Sequence, residues 1–180
     1  MRISWEEYFM LIAKLVSTRS TCLKRKVGAV IVRDKRILTT GYNGQIPGQR
    51  HCNEPDFQLC YKEYWNDRRF CRAIHAEANA VIQAAKMGIS LEGAELYSTL
   101  MPCPECVKLI ASVGIKRVYY ELDYHYDPPN AWYYCEPESG IDFIKLEVSD
   151  EALSIAKSAL DPYTSKKEVG NDCQGIDREA

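Results

Sequence analysis

Between Ser4 and Thr18 the apolar residues Trp5, Tyr8, Phe9, Ile12, Leu15 and Val16 recur at helical spacing, which predicts an amphipathic helix. Ser4 followed by Glu7 is a capping-box pattern and fixes its start. The period then changes. Val27–Val32 ("VGAVIV") and Arg36–Tyr42 ("RILTTGY") read as two strands joined by the turn-like "RDK", a hairpin. Ala76–Lys86 returns to helical spacing and stops near Gly88, Glu95–Leu100 reads as a strand, and Pro104–Val113 as a helix with Pro in its first turn and Gly114 at its end. Ile115–Glu121 is a further strand, Ile141–Val148 supplies a fifth, and Ser149 caps a last helix running to about Leu160. Alternating strands and helices imply crossovers and at least partly parallel pairing, a three-layer α/β/α arrangement around a mixed sheet of about five strands.

Two stretches break the pattern. Residues 43–72 form a loop-rich insertion with Gly44, Pro47, Gly48 and Pro55, and a connection of that length in a compact domain has a function or an internal staple. Tyr124–Ser139 is a Tyr/Pro-rich loop. Beyond residue 160 the chain is polar and aperiodic, which predicts a flexible tail after a single domain over residues 1–160. A chain of 180 residues buries enough apolar surface to fold without metal or disulfide staples.

Charge and cysteine content narrow the function. A net charge of −2 and a pI near 6.0 disfavour a protein that clamps long nucleic acid through a broad basic face. No run approaches the ~20 apolar residues of a membrane span, and the first residues lack the apolar core of a signal peptide. The eight cysteines are therefore expected to be reduced thiols in the cytoplasm, or host cytoplasm for a viral chain, some of them binding metal.

Candidate chemistry lies in "AIHAEAN" (73–79) and "LMPCPECV" (100–107). Catalytic zinc takes three protein ligands and keeps one position open, and His75, Cys103 and Cys106 supply that set. Glu77 diverges from His75 by about 200° on a regular helix, yet in a first turn both can lean toward the open end. Both candidate helices begin at these residues, so two positive helix ends converge there. Zinc lowers the pKa of bound water toward ~7, and a carboxylate that is not a ligand can shuttle its proton; Glu77 is the candidate. A closed structural zinc site and a thioredoxin-like C-x-x-C pair are the alternatives.

H-x-E with P-C-x-x-C matches the signature of zinc deaminases. Together with "CLKRKVGAVIV", "GYNGQIPG", "HCNE" and "GAELYSTLMPCPECVKLIASVGIKRVYY", it resembles the cytidine deaminase superfamily, and within it the deoxycytidylate (dCMP) deaminases, over about Trp5–Asp127. The resemblance implies zinc on His75, Cys103 and Cys106, proton transfer by Glu77, and hydrolysis of dCMP to dUMP and ammonia, the precursor for thymidylate. It implies a sugar contact by Asn43, whose alternative is a turn residue before Gly44, and base stacking by Tyr124, with Tyr126 competing. It further implies dCTP activation and dTTP inhibition with Mg²⁺ on the triphosphate, an effector site around Gly41, Tyr42 and Gly44, and a homohexamer. Lys24, Arg25, Lys26, Arg50, Arg68, Arg69 and Arg72 are the cations available for phosphates. Cys22, Cys52, Cys60 and Cys71, with His51 adjacent, offer a second, structural zinc site or are free thiols; Cys22 and Cys52 match ligand positions of dCMP deaminases that carry such a zinc, and the further His/Glu ligands are not matched. Cys135 and Cys173 have no assigned role. The rival readings are a tRNA or nucleoside deaminase of the same superfamily and a non-catalytic zinc module.

Overall fold

The computed structural model describes residues 2–57, 71–123 and 140–161. Cys60, Arg68, Arg69, Tyr124, Tyr126, Cys135, Cys173 and the tail beyond Asp161 lie outside the described residues. In chain order the elements are α1 (Trp5–Ser17), β1 (Gly28–Arg33), β2 (Arg36–Tyr42), α2 (Ala76–Met87), β3 (Glu95–Leu100), α3 (Pro104–Ser112), β4 (Arg117–Leu122), β5 (Asp142–Lys145) and α4 (Asp150–Leu160). The strands form one mixed sheet in the order β2-β1-β3-β4-β5. β1 pairs antiparallel with β2 and β3, while β3, β4 and β5 run parallel. The β1–β2 turn holds Asp34 and Lys35 at φ 51° and 59°, the two left-handed residues of a type I′ hairpin turn.

Side-chain alternation sends the two faces of the sheet into two cores. Val30, Val32, Tyr97 and Tyr119 pack under Phe9, Met10 and Ala13 of α1, with the Tyr97 and Tyr119 rings stacked 4.5 Å apart. On the other face Ala29, Ile31, Leu96 and Val118 meet Ala76, Ala80 and Ala84 of α2 and Val107 and Ile110 of α3. Each large apolar side chain so buried contributes about 1.5–3 kcal/mol. Among the described residues no helix is long and apolar enough to cross a membrane.

Two strand glycines set how closely the helices approach. A Cβ on Gly28 would lie 2.0 Å from the Ala13 carbonyl oxygen of α1, and one on Gly41 would lie 2.2 Å from the Ala76 oxygen and 2.5 Å from the Ala80 nitrogen of α2. Gly41 thus has a packing role, independent of any effector, in seating the helix that starts at His75.

Element ends differ from the sequence reading where local bonds compete. β4 begins at Arg117 rather than Ile115, because the Ile115 N–H turns back to the Ile110 oxygen and closes α3 around Gly114, whose φ is 81°. β5 covers Asp142–Lys145 rather than Ile141–Val148: beyond the Leu146 N–H bond to the Tyr120 oxygen, Leu146 and Val148 fold onto the α1 core. At α1 the capping box closes as read, with the Glu7 N–H donating to Ser4 Oγ (3.1 Å) and Ser4 Oγ to Glu7 Oε2 (2.9 Å). Glu7 also accepts from Ser149 Oγ (2.6 Å) and the Ser149 N–H (3.1 Å), so one carboxylate joins the starts of α1 and α4.

Bonds from Ser149, then Ser4, hold the Glu7 carboxyl down at about 2 from an ordinary 4.5. A lowered carboxylate pKa contributes stability above the unfolded value, lost as pH falls through the folded one. Glu7→Gln should lower unfolding free energy by about 1 kcal/mol near neutral pH, a cap-sized effect because the site is solvated; in urea titrations the difference from wild type should fade between pH 4.5 and about 2, and a pH-independent difference would refute the linkage. Gly41→Ala should cost about 1–3 kcal/mol through overpacking and loosen zinc retention, read by unfolding and by chelator competition.

Candidate active site and metal centre

β3 delivers the chain through Met101 and Pro102 to Cys103, the N-cap of α3. The Cys103 sulfur accepts the Cys106 N–H at 3.4 Å, a capping bond to sulfur. His75 occupies the matching N-cap of α2, with Glu77 in the first turn. The ring is placed by Ile74, which exchanges two backbone bonds with Gly44 (3.1 and 2.8 Å). Both helices open toward the same point.

The ligand atoms of His75, Cys103 and Cys106 all lie within 4.8 Å of one another. His75 Nδ1 is 3.3 Å from the Cys103 sulfur and 3.5 Å from the Cys106 sulfur. Tetrahedral zinc, with bonds of about 2.3 Å to sulfur and about 2.0 Å to nitrogen, separates such ligands by about 3.5 Å. The donor set therefore fits zinc in chemistry and in spacing, with three ligands and one position left. Glu77 is buried, 4% exposed, and its Oε2 lies 3.8 Å from the Cys106 sulfur.

The electrostatics follow from this crowding. The Cys106 thiol, then the His75 ring and the Cys106 N–H, hold the Cys103 thiol down at about 4. Sharing that proton, together with burial, pushes the Cys106 thiol up. The Cys103 bond raises the His75 pKa against the effect of burial. Burial pushes the Glu77 carboxyl up to about 7. A cation at the cluster would draw both thiols toward thiolates.

Asn43 is buried, and its side chain ties down a cationic loop: Oδ1 accepts the Val27 N–H (2.8 Å) and Nδ2 donates to the Arg25 oxygen (2.9 Å). Its backbone oxygen accepts Ser20 Oγ (2.8 Å). Tyr42 is exposed, and its carbonyl accepts Asn79 Nδ2 (2.7 Å). Of the second cysteine group, Cys22 is half-buried, Cys52 buried and Cys71 exposed. The Cys52 sulfur accepts Gln45 Nε2 at 2.7 Å. Among the described residues, Cys22, Cys52, Cys71 and His51 do not gather three ligand atoms at one point.

Sequence reasoning missed the anchoring of the insertion's two ends. Arg50 pairs with Glu54 (2.8 Å) and Asp56 (2.5 Å), and its guanidinium lies 4.7 Å from the Phe57 ring centre. Arg72 lies 5.5 Å from the same centre and donates to Gln49. The signal available in sequence was the alternation of cationic, acidic and aromatic residues over Arg50–Phe57.

The family model described as cytidine and deoxycytidylate deaminase zinc-binding region matches residues 3–122. The chain is 46% identical over 127 residues to ComE operon protein 2 of Bacillus subtilis (strain 168), covering 71% of this chain and 64% of that one. It is 39% identical to the deoxycytidylate deaminase of Schizosaccharomyces pombe, over 72% of this chain and 41% of the relative. With the deoxycytidylate deaminase of Mycobacterium phage D29 it shares 42% over 124 residues, 66% of this chain and 95% of the phage protein. The match thus spans less than two thirds of the bacterial and yeast relatives. Among solved structures, the dCMP deaminase from cyanophage S-TIM5 in complex with dCMP and dUMP superposes with a TM-score of 0.65 at 32% identity, over 81% of this chain and 99% of that one. Since the matched region takes in both helix starts and every ligand of the His75 cluster, this chain belongs to the cytidine and deoxycytidylate deaminase family.

Proposed function

We propose that this chain hydrolyses dCMP to dUMP and ammonia. The observation that carries the reading is the buried Glu77 carboxylate beside a His75–Cys103–Cys106 set spaced for zinc. The likeness to deoxycytidylate deaminases of full or partial length supports the choice of dCMP.

Zinc held by these three residues would supply Lewis-acid activation of water. The reaction exchanges the ring's exocyclic amine for the oxygen of water, so one proton of water must reach the ring nitrogen, where the product keeps it, and the second must reach the amine, which leaves as ammonia. Glu77 is positioned to carry it, and its burial keeps the proton from bulk solvent. Asn43 spends one Oδ1 lone pair and one Nδ2 hydrogen on its loop; the remaining pair and hydrogen can meet the sugar. Tyr124, outside the described residues, stacks on the base in this reading.

The same proposal includes activation by dCTP and inhibition by dTTP, with Mg²⁺ on the triphosphate, around Gly41, Tyr42 and Gly44, in a cytoplasmic homohexamer. It also includes a structural zinc on Cys22, Cys52, Cys60 and Cys71, supported by four soft ligands in and around the loop-rich insertion. Resemblance to the dCMP deaminases is the support for these parts.

Turnover of zinc-loaded protein on dCMP, CMP, deoxycytidine and dCTP, each with and without dCTP or dTTP plus Mg²⁺, tests the reading. Selective loss of the dCMP amine, raised by dCTP and lowered by dTTP, is the expected outcome; silence on every nucleotide sinks it. Glu77→Gln should retain zinc and lose at least ~10²-fold in kcat, whereas Cys103→Ser should lose zinc and activity together. Metal analysis should find two zinc ions per chain and one in Cys22→Ser; a single ion in the wild type would remove the structural site.

A further inference from the structure

Arg72 stands three residues before His75, at the exit of the insertion. Three peptide units span at most about 11 Å, comparable with the length of a pyrimidine nucleotide from its ring to its 5′-phosphate. Ile74, between Arg72 and His75, is fixed by two bonds to Gly44, so the backbone between the two residues is held in place.

Among the described residues Arg72 forms no ion pair. Arg50 and Arg72 share the Phe57 ring, and Glu54 and Asp56 both pair with Arg50 rather than with Arg72. The partners of Arg72 among the described residues are that aromatic ring and the neutral amide of Gln49. Both orient the guanidinium without cancelling its charge, and Gln49 uses one of five donors. The other charge-paired cations are occupied: Lys14 by Glu121, Lys108 by Glu105, Arg117 by Glu95 and Lys145 by Asp123. Arg33, at the end of β1, is bound by the Ser90 and Glu92 oxygens.

We infer that Arg72 receives the 5′-phosphate of the substrate and sets the preference for nucleotide over nucleoside. A planar fork of donors suits a phosphate, and stacking on Phe57 pre-orders it. The inference rests on the dCMP reading above and deepens it. Lys24, Arg25 and Lys26, on the loop tied to Asn43, are exposed and add to the local field.

The test uses the full zinc-loaded chain and compares Arg72→Gln with wild type. The ratio of kcat/KM on dCMP to that on deoxycytidine should fall about 10- to 100-fold, the worth of a charged hydrogen bond. Binding of dUMP relative to deoxyuridine, by calorimetry, should fall alike, and its salt dependence should flatten. Arg72→Lys should restore part of the ratio. Gln49→Ala, which keeps the charge and removes one orienting partner, should lower the ratio by less; it also covers the case in which Arg72→Gln does not fold. An unchanged ratio in both Arg72→Gln and Gln49→Ala overturns the inference, as does a loss confined to dTTP binding, which would place Arg72 at an effector site. If wild type turns over no cytosine nucleotide yet binds dUMP more tightly than deoxyuridine through Arg72, the deaminase reading falls and the phosphate assignment stands.

Discussion

With both sulfurs and the buried carboxyl ionised, as a metal would require of the thiols, the cluster of His75, Cys103, Cys106 and Glu77 would carry more negative charge than a desolvated site tolerates, unless positive potential is built in around it. The first turns of α2 and α3 supply it. Each helix start carries roughly half a positive charge and unpaired N–H groups, one of which reaches the Cys103 sulfur. His75 and Cys103 are N-caps rather than helix-interior residues, so their side chains project into the space between the helix ends. A divalent cation would add to a potential that the backbone has already begun.

That convergence depends on the sheet. Parallel pairing of β3 with β4 requires a crossover, and α3 provides it, starting where β3 ends. The antiparallel hairpin on the other side supplies the second half: Gly41 seats α2 on β2, and Gly44 pins Ile74 beside His75. The α2 face turned to the sheet is alanine, at Ala76, Ala80 and Ala84, so the approach is set by backbone contact. The opposite face is filled by large aromatic and aliphatic side chains from α1 and the sheet. One core supplies burial; the other supplies position.

Much of this was legible in the chain. Periodicity gave every described helix, and the start signals Ser4, Pro104 and Ser149 placed the beginnings of α1, α3 and α4, because such signals are local chemistry. His75, Cys103 and Cys106 were readable because metal ligation needs specific residue types at helix-start spacing, and the cluster forms as expected. What escaped was non-local. Nothing in the stretch around Glu7 announces that its carboxylate also caps a helix 142 residues away. Asn43 carried a turn reading and a sugar reading, while its first use is to hold the backbone of Arg25 and Val27. Gly28 and Gly41 did carry a signal, since glycine within a strand marks close backbone approach; the hairpin pattern drew attention away from it.

The insertion shows how charge placement matters more than the number of ion pairs. Exposed pairs contribute little to stability, so Glu54 and Asp56 do not hold Arg50 for the sake of the fold. Their effect is on placement. Both carboxylates engage Arg50, so the two guanidiniums on the Phe57 ring differ: one is held by ion pairs, the other by an aromatic face and a neutral amide. Two carboxylates balance two guanidiniums over the cluster, yet among the described residues the donors of Arg72 that Gln49 does not use are not tied to an acid.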